Sequence, residues 1–258
     1  MIFSTADGAQ VACLFRDGKD PLVLLHALGC DGSMWDDVIK ALPPNRGLVV
    51  PDLRGHGAST LGWRTPSVAL WAEDVANAIL ALPIERPLVA GISMGGYVAL
   101  ALAAAHPGLA RAYAFIGTTA EPDDDTGRSK RAAAIATVER RGWHAYLDGM
   151  MGTFLNTEDE RFTVNSRQLT VMFERVGDAG LPPTLMALAA RPDRTPLLPS
   201  IAAPTLVVAG SGDSLIPPEK TRKIAETIPG AKFHLLEGAA HLTVLERPRA
   251  IAELLATM

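Results

Sequence analysis

The feature that most constrains this chain is a glycine-bracketed serine, Gly91-Ile92-Ser93-Met94-Gly95-Gly96, between two segments of opposite character. A short apolar run, Pro87 to Ala90, predicts a buried strand before it, and Tyr97 to Ala105 predicts a helix after it. In that context, G-x-S-x-G is typical of a sharp turn that exposes a nucleophile at the carboxyl edge of a sheet. The helix would aim the Met94 N–H at an oxyanion formed beside Ser93. The alternative is an incidental serine in a glycine-rich turn, and the rest of the chain decides between the two.

Composition limits the possible partners. The chain has 258 residues, 48% hydrophobic and 20% charged, which suits one large α/β domain with room for an insertion. Its net charge of −4 provides no basic field for nucleic acid or anionic lipid. No apolar run approaches the roughly 20 residues of a membrane-spanning helix, and the start lacks the pattern of a signal peptide. The only cysteines, Cys13 and Cys30, make no disulfide framework, and no clustered metal ligands appear. We therefore expect a cytoplasmic protein with no metal, no cofactor, and no nucleic-acid or membrane partner.

Apolar runs alternate with helical segments along most of the chain. Residues 1–17 predict a hairpin, and six further apolar runs predict buried strands. This alternation predicts a mostly parallel, eight-stranded sheet flanked by helices. The sheet domain should comprise residues 1–120 and 200–258. Residues 121–199 should form a helical cap inserted after the sixth strand, because only helical runs occur there: Arg128–Arg141, Trp143–Met151, Asp159–Val176 and Thr184–Ala190.

Methionine and aromatic side chains recur along the cap. About half should form the cap's own small core, and the remainder should roof a mostly apolar pocket. The candidate pocket residues are Trp35, Trp143, Tyr146, Met150, Phe154, Met172 and Met186. The cap also carries arginines whose helical spacing should turn most of them toward solvent, including Arg128, Arg140, Arg161 and Arg175. We therefore expect an uncharged, mainly apolar small-molecule substrate of modest size.

Three chemically complementary side chains follow predicted strands at separate points of the chain. Ser93, Asp213 and His241 each lie just past a strand end, and parallel strands bring such ends to the edge where ligands bind. His241 could take the proton of Ser93, while Asp213 could fix the tautomer of the histidine and stabilise its cation. Glu121 and Asp123, which follow the strand that enters the cap, are the alternative acids.

The loop after the apolar run Pro21–Leu25 is rich in small residues and can turn backbone N–H groups toward a ligand. The N–H of Leu28 is the candidate second donor of an oxyanion hole, beside that of Met94. His26 is interpreted as ordering this loop, because a triad needs only one histidine. Asp52 and His56 lie four residues apart on a turn before the serine, and both are interpreted as structural.

Four motifs, taken together, resemble the α/β-hydrolase superfamily. They are Gly91-x-Ser93-x-Gly95-Gly96, Asp52-x-Arg-Gly-His-Gly-x-Ser59, Gly210-x-x-Asp213-x-x-x-Pro217 and Gly238-x-x-His241. Within that superfamily, Leu28-Gly-x-Asp-x-x-Met-Trp-Asp36 is similar to the carboxylesterase and 3-oxoadipate enol-lactonase branch. The resemblance implies the α/β-hydrolase fold and a cofactor-free serine hydrolase that cleaves small carboxylic esters or lactones through an acyl-serine.

The resemblance leaves other functions open. A specific enol-lactonase of aromatic catabolism is the first alternative, and carbon–carbon bond hydrolases and cofactor-free perhydrolases share the triad. A different class would be a ligand-binding protein that keeps the fold without useful turnover. The serine nucleophile argues against the dehalogenase and epoxide-hydrolase branches, which resemble this fold but use aspartate. The oxyanion loop reads His26-Ala27-Leu28, where the family usually has His-Gly-x.

Overall fold

One eight-stranded sheet organises the molecule. The computed structural model describes all residues, 1–258. The strand order is β1-β2-β4-β3-β5-β6-β7-β8. β2 pairs antiparallel with β1 and β4, and every other pair is parallel. The predicted mostly parallel, eight-stranded sheet is therefore confirmed. Its strands are β1 (Ile2–Ser4), β2 (Gln10–Arg16), β3 (Lys19–Leu25), β4 (Arg46–Pro51), β5 (Leu88–Ile92), β6 (Ala112–Ile116), β7 (Thr205–Gly210) and β8 (Lys232–Leu236).

The central strands have continuous apolar runs because both of their faces are covered. Every residue of β4, β5, β6 and β7 is buried, as expected for parallel strands between layers of helices. The order of the sheet reverses at β3, which lies between β4 and β5. In open sheets of this kind, ligands bind in the crevice beyond the carboxyl ends of the strands at the reversal. Leu28 follows β3 and Ser93 follows β5, so both lie at that crevice.

Eight α-helices accompany the sheet, and α2 packs against α3 while α1 packs against α8. A 3₁₀ turn, Gly32–Trp35, precedes α1, and the Asp31 side chain caps this turn by accepting a hydrogen bond from Ser33 N–H. The helices are α1 (Asp36–Ala41), α2 (Val68–Ala81), α3 (Met94–Ala105), α4 (Asp125–Phe154), α5 (Phe162–Ala189), α6 (Pro218–Thr227), α7 (Thr243–Glu246) and α8 (Pro248–Ala256).

The segment between β6 and β7 contains α4, α5 and a 3₁₀ turn at Thr195–Ser200, and its residues 121–199 are here called the helical insertion. The four predicted helical runs form two long helices, each interrupted at one glycine. Gly142 in α4 has φ 79° and Gly177 in α5 has φ 58°. Left-handed backbone favours glycine, so these residues set the two breaks. Asp178 stabilises the first break by accepting a hydrogen bond from Trp143 N–H at 2.7 Å.

The helical insertion and the sheet share one hydrophobic core rather than two. Leu147, Leu169 and Phe173 of the insertion belong to the same continuous buried cluster as Leu24 of β3 and Val207 of β7. The insertion is therefore held in place by apolar burial, the dominant stabilising term in folding. None of the helices combines the length and the apolar character needed to cross a bilayer.

Candidate active site

Ser93 occupies a strained turn between β5 and α3. Its backbone has φ 52° and ψ −114°, a region that residues with a Cβ rarely adopt. The flanking glycines make the turn possible. A Cβ on Gly91 would lie 2.2 Å from the Gly95 carbonyl oxygen, and one on Gly95 would lie 2.3 Å from the Leu25 carbonyl oxygen. The turn is held by the Ser93 N–H, which donates to the Ile116 carbonyl of the adjacent strand at 2.8 Å. Such strain is retained where the surrounding structure imposes it, commonly at functional sites.

A chain of hydrogen bonds joins Ser93, His241 and Asp213. His241 Nε2 lies 2.8 Å from Ser93 Oγ, and His241 Nδ1 lies 2.8 Å from Asp213 Oδ2. The other carboxylate oxygen of Asp213 accepts hydrogen bonds from the N–H groups of Leu215 at 3.0 Å and Ile216 at 2.9 Å. All three side chains are buried from bulk solvent by the surrounding elements. The carboxylate thus fixes the imidazole so that one nitrogen faces the serine hydroxyl.

The two alternative acids have other partners. Glu121 forms ion pairs with Lys223 at 3.1 Å and Lys220 at 3.4 Å, and these lysines hold the pKa of the carboxyl below its usual range. Asp123 pairs with two arginines of the helical insertion, and neither acid contacts His241. The geometry therefore brings only Asp213 to the histidine.

The two predicted oxyanion donors are both free. Leu28 follows β3 and Met94 begins α3, and the backbone N–H of neither residue donates a hydrogen bond within the protein. Unused N–H groups beside a nucleophile are what an oxyanion hole requires. Ala27 has no positive φ, so the loop accommodates alanine at this position without backbone strain.

His26 and the turn that contains His56 stabilise the loop that follows β3 and carries Leu28. His26 Nε2 accepts a hydrogen bond from Leu53 N–H at 2.8 Å, so Nδ1 donates to the Ala27 carbonyl at 2.9 Å. Burial lowers the pKa of His26 to about 4 and that of His56 to about 3, so both are neutral at pH 7. Asp52 accepts hydrogen bonds from Gly32 and Ala58 N–H groups. These contacts fix the loop, and none reaches Ser93.

A cavity of about 750 Å³ opens between Ser93 and the helical insertion. Tyr146, Met150 and Phe154 line it, as the sequence predicts, together with Ala27, Leu28, Leu185, Leu188 and Leu242. The ring centroid of Phe154 lies 6.3 Å from that of His241. Apolar side chains thus surround the reactive atoms.

The other four predicted pocket residues lie elsewhere, so those predictions are wrong. Trp35 and Met172 are fully buried in the shared core. Trp143 stacks on His144 with ring centroids 3.5 Å apart. Met186 is 60% exposed, because the face of α5 that meets the cavity carries Leu185 and Leu188 instead. Adjacent helical positions point about 100° apart, so a one-residue shift decides between cavity and solvent.

Charged side chains also line the cavity, beside the apolar residues that the sequence predicts. Arg191 Nη1 pairs with Asp123 Oδ1 at 2.6 Å, and Arg131 Nε pairs with the second oxygen of the same carboxylate at 3.1 Å. The guanidinium of Arg191 also lies 4.3 Å from the ring centroid of Tyr97. Five cationic side chains and only three carboxylates contribute to the lining: Lys130, Arg131, Arg141, Arg191 and Lys220 against Glu121, Asp123 and Asp124.

Sequence reasoning missed these cations. Of the four arginines named from the sequence, Arg128, Arg140 and Arg175 are exposed, as predicted for most of them, and none of the four lines the cavity. One available signal was the spacing of positions 130, 134, 137, 141 and 145, which places Lys130 and Arg141 on one helical face with small residues. The spacing shows that these residues share one face of the helix, but it does not show whether that face contacts the core, the cavity or solvent.

Comparison with known proteins agrees with this architecture. Residues 22–254 match the sequence profile of the alpha/beta hydrolase family. This chain belongs to that family. It is 29% identical over 247 residues to 3-oxoadipate enol-lactonase 1 of Acinetobacter baylyi, covering 90% of this chain and 86% of the relative.

Solved structures of hydrolases in this family superpose closely. A thermophilic esterase from Thermogutta terrifontis, determined with malate bound, has a TM-score of 0.91 and 27% identity, covering 99% of this chain and 95% of the esterase. The enol-lactonase from Burkholderia xenovorans has a TM-score of 0.87 and 27% identity, covering 96% of each chain. The predicted α/β-hydrolase fold and its esterase and enol-lactonase branch are confirmed by these likenesses.

Proposed function

We propose that this protein is a cofactor-free serine hydrolase that cleaves small carboxylic esters or lactones through an acyl-serine intermediate. The observation that supports it best is the hydrogen-bonded chain from Asp213 through His241 to Ser93, at the base of a cavity large enough for a small-molecule substrate. A serine hydroxyl is a poor nucleophile until a base takes its proton, and the imidazole is placed to do so.

In the first half-reaction, Ser93 Oγ attacks the substrate carbonyl while His241 Nε2 takes the hydroxyl proton. The carbonyl electron pair moves to oxygen, and the Leu28 and Met94 N–H groups donate to that oxyanion. The intermediate collapses when the bond from the carbonyl carbon to the alcohol oxygen breaks. The imidazolium then gives its proton to that oxygen, which leaves as an alcohol or, in a lactone, remains attached through the opened ring.

In the second half-reaction, water replaces the alcohol. His241 takes a proton from the water, whose oxygen attacks the acyl-serine carbon and forms a second oxyanion in the same place. Collapse breaks the bond to Ser93 Oγ, and the imidazolium returns a proton to it, so free acid and native enzyme result. Asp213 stabilises the imidazolium in both halves.

Hydrolysis of p-nitrophenyl esters and of lactones, measured with native protein and Ser93→Ala, tests this proposal. We expect activity in the native protein that is abolished in the variant, and labelling of Ser93 alone by a fluorophosphonate probe. Full activity in Ser93→Ala, or labelling at another residue, would overturn it.

A second candidate is a lactonase or esterase for substrates that carry a carboxylate, as the name of the enol-lactonase relative implies for that enzyme. The specific observation in its favour is the excess of cations in the cavity wall. Arg131 uses only its Nε in the ion pair with Asp123, and its terminal nitrogens have no partner in the protein. A hydrogen bond to a charged group contributes about 1.5–3 kcal/mol.

Matched ester pairs distinguish the two candidates. The monoester of a dicarboxylic acid is compared with the neutral ester of the same chain length, using native protein, Arg131→Gln and the control Arg128→Gln. Arg128 lies on the same helix, is half exposed and does not line the cavity. A carboxylate preference of roughly tenfold or more that only Arg131→Gln removes would establish the second candidate. Equal rates for both esters would exclude it.

A further inference from the structure

A buried glutamate joins the histidine of the site to the helical insertion. Glu246, at the end of α7, is 2% exposed, and its two carboxylate oxygens accept hydrogen bonds from two different segments. Oε2 accepts from Ala240 N–H at 2.6 Å, and Oε1 accepts from Asn156 N–H at 2.6 Å. Ala240 immediately precedes His241, and Asn156 follows the end of α4 by two residues.

These two segments carry functional groups that must be aligned. His241 contacts Ser93, and Phe154 at the end of α4 both lines the cavity and faces the His241 ring. The Leu242 N–H donates to the Phe154 carbonyl at 3.0 Å. The carboxylate of Glu246 therefore holds both the segment that carries the general base and the segment that carries the adjacent cavity wall.

Stability alone does not account for a carboxylate at this position. Glu246 forms no ion pair, and desolvation raises the pKa of its carboxyl. Burying an unpaired carboxylate is costly, and apolar groups of the same volume often replace buried charges without loss of stability. What a carboxylate does provide is two acceptor oxygens in one plane, each for a separate N–H.

We infer that Glu246 is a positioning residue that sets the imidazole of His241 against Ser93 and Phe154, an inference that rests on the proposed function. Glutamine has nearly the same shape but only one acceptor oxygen, so one of the two backbone N–H groups would face an amide N–H. The backbone on one side of Glu246 must then shift. A misplacement of about 1 Å in a catalytic group can reduce the rate about 10²-fold.

The chain offers a matched control at the same boundary. Arg247 is the next residue, and it also ties the histidine segment to the helical insertion through an ion pair with Asp159 at 2.5 Å and a hydrogen bond to the Gly238 carbonyl. Its side chain forms no hydrogen bond to Ala240 or His241. Arg247→Ala therefore weakens the same boundary without releasing the residue next to the base.

The experiment compares native protein, Glu246→Gln, Glu246→Ala and Arg247→Ala at 25 °C, after circular dichroism shows each variant folded. It measures kcat and KM for one p-nitrophenyl ester, and the rate at which a fluorophosphonate labels Ser93. We expect both glutamate variants to lower kcat and the labelling rate together, by roughly 10- to 100-fold, with KM within about threefold of native. Arg247→Ala should leave all three within about threefold, since a uniform loss of stability moves none of them while the protein stays folded.

Two results would overturn the inference separately from the proposed function. If native Ser93 is labelled but the folded glutamate variants are labelled as fast as Arg247→Ala, Glu246 does not position the base. A Glu246→Gln variant that raises KM with kcat unchanged has lost binding and not alignment, which also refutes it. If the fluorophosphonate does not label native Ser93, the proposed function fails and the inference fails with it.

Discussion

The strain at the nucleophile leads to a prediction about stability that can be tested without a substrate. Ser93 holds φ at 52° and ψ at −114°, and only glycine adopts this backbone region without steric cost. Ser93→Gly and Ser93→Ala both remove the hydroxyl and its hydrogen bond to His241, so that loss cancels when the two variants are compared. The alanine variant keeps the Cβ and the strain, whereas the glycine variant relieves it.

The magnitude follows from two opposing terms. A non-glycine residue in a sparsely populated backbone region costs on the order of 1–3 kcal/mol. Glycine increases the conformational freedom of the unfolded chain, which subtracts about 0.4–1 kcal/mol from the gain. With both terms at the middle of their ranges, about 2 and about 0.7 kcal/mol, the glycine variant should exceed the alanine variant by roughly 1.3 kcal/mol in the free energy of unfolding. At this chain length, 1 kcal/mol shifts Tm by about 2–4 °C, so the difference should be roughly 3–5 °C.

Urea unfolding monitored by tryptophan fluorescence, with calorimetry for Tm, measures the difference. Ester hydrolysis by both variants should be abolished, because both lack the nucleophilic hydroxyl. An alanine variant as stable as the glycine variant, or more stable, would refute the reasoning, because the backbone of residue 93 would then not be strained.

Three further predictions follow from the site and its surroundings. Asp213→Asn should lower kcat by roughly 10³- to 10⁴-fold because the wrong histidine tautomer becomes favoured, while Glu121→Gln should change it little; the reverse result would move the acid to Glu121. Phe154→Ala should shift the preference of kcat/KM toward longer acyl chains by enlarging the cavity, and Met186→Ala, at an exposed position, should not; a p-nitrophenyl ester series measures both. Because burial lowers the pKa of His26 to about 4, its neutral form stabilises the fold fully above the unfolded-state pKa of about 6.5. The free energy of unfolding should therefore fall as pH drops from about 6.5 toward 4, and His26→Asn should make that part of a urea-unfolding pH series less steep, while His56 retains its own share of the slope.

The sheet and the order of the reactive residues could be predicted because local pattern determines both. Doubly buried strands require continuous apolar runs, and the run from Pro87 to Ala90 falls at β5, whose residues are all buried. A parallel sheet brings the carboxyl ends of its strands to one edge. Ser93, Asp213 and His241 could therefore be placed together from three separate strand ends, before any distance was known.

The lining of the cavity could not be predicted because it depends on how two interrupted helices lie across that edge. Helical spacing shows which residues share a face, but it does not show whether the face meets core, cavity or solvent. Met172 meets the core, Phe154 the cavity and Met186 the solvent, although all three are apolar residues of the same insertion. Arg191 lies just beyond the end of α5, so no helical periodicity predicts its burial. It is buried where it pairs with Asp123.

The distribution of charge in the cavity argues for a substrate with two unlike ends. The ring of Phe154 lies beside that of His241, and Leu28 and Leu242 also line the cavity, so an ionised group held against these side chains would lose its hydration without finding a partner. The first turns of α4 contribute exposed Lys130 and the free nitrogens of Arg131 to the lining, and these groups can replace the hydration of an anion. A neutral scissile ester or lactone therefore fits beside Phe154 and His241, and an acidic group on the substrate fits beside the cations of the wall. Orientation of the substrate would then be decided by the cations of the cavity wall, while the chemistry at the sheet edge stays the same for every acyl group.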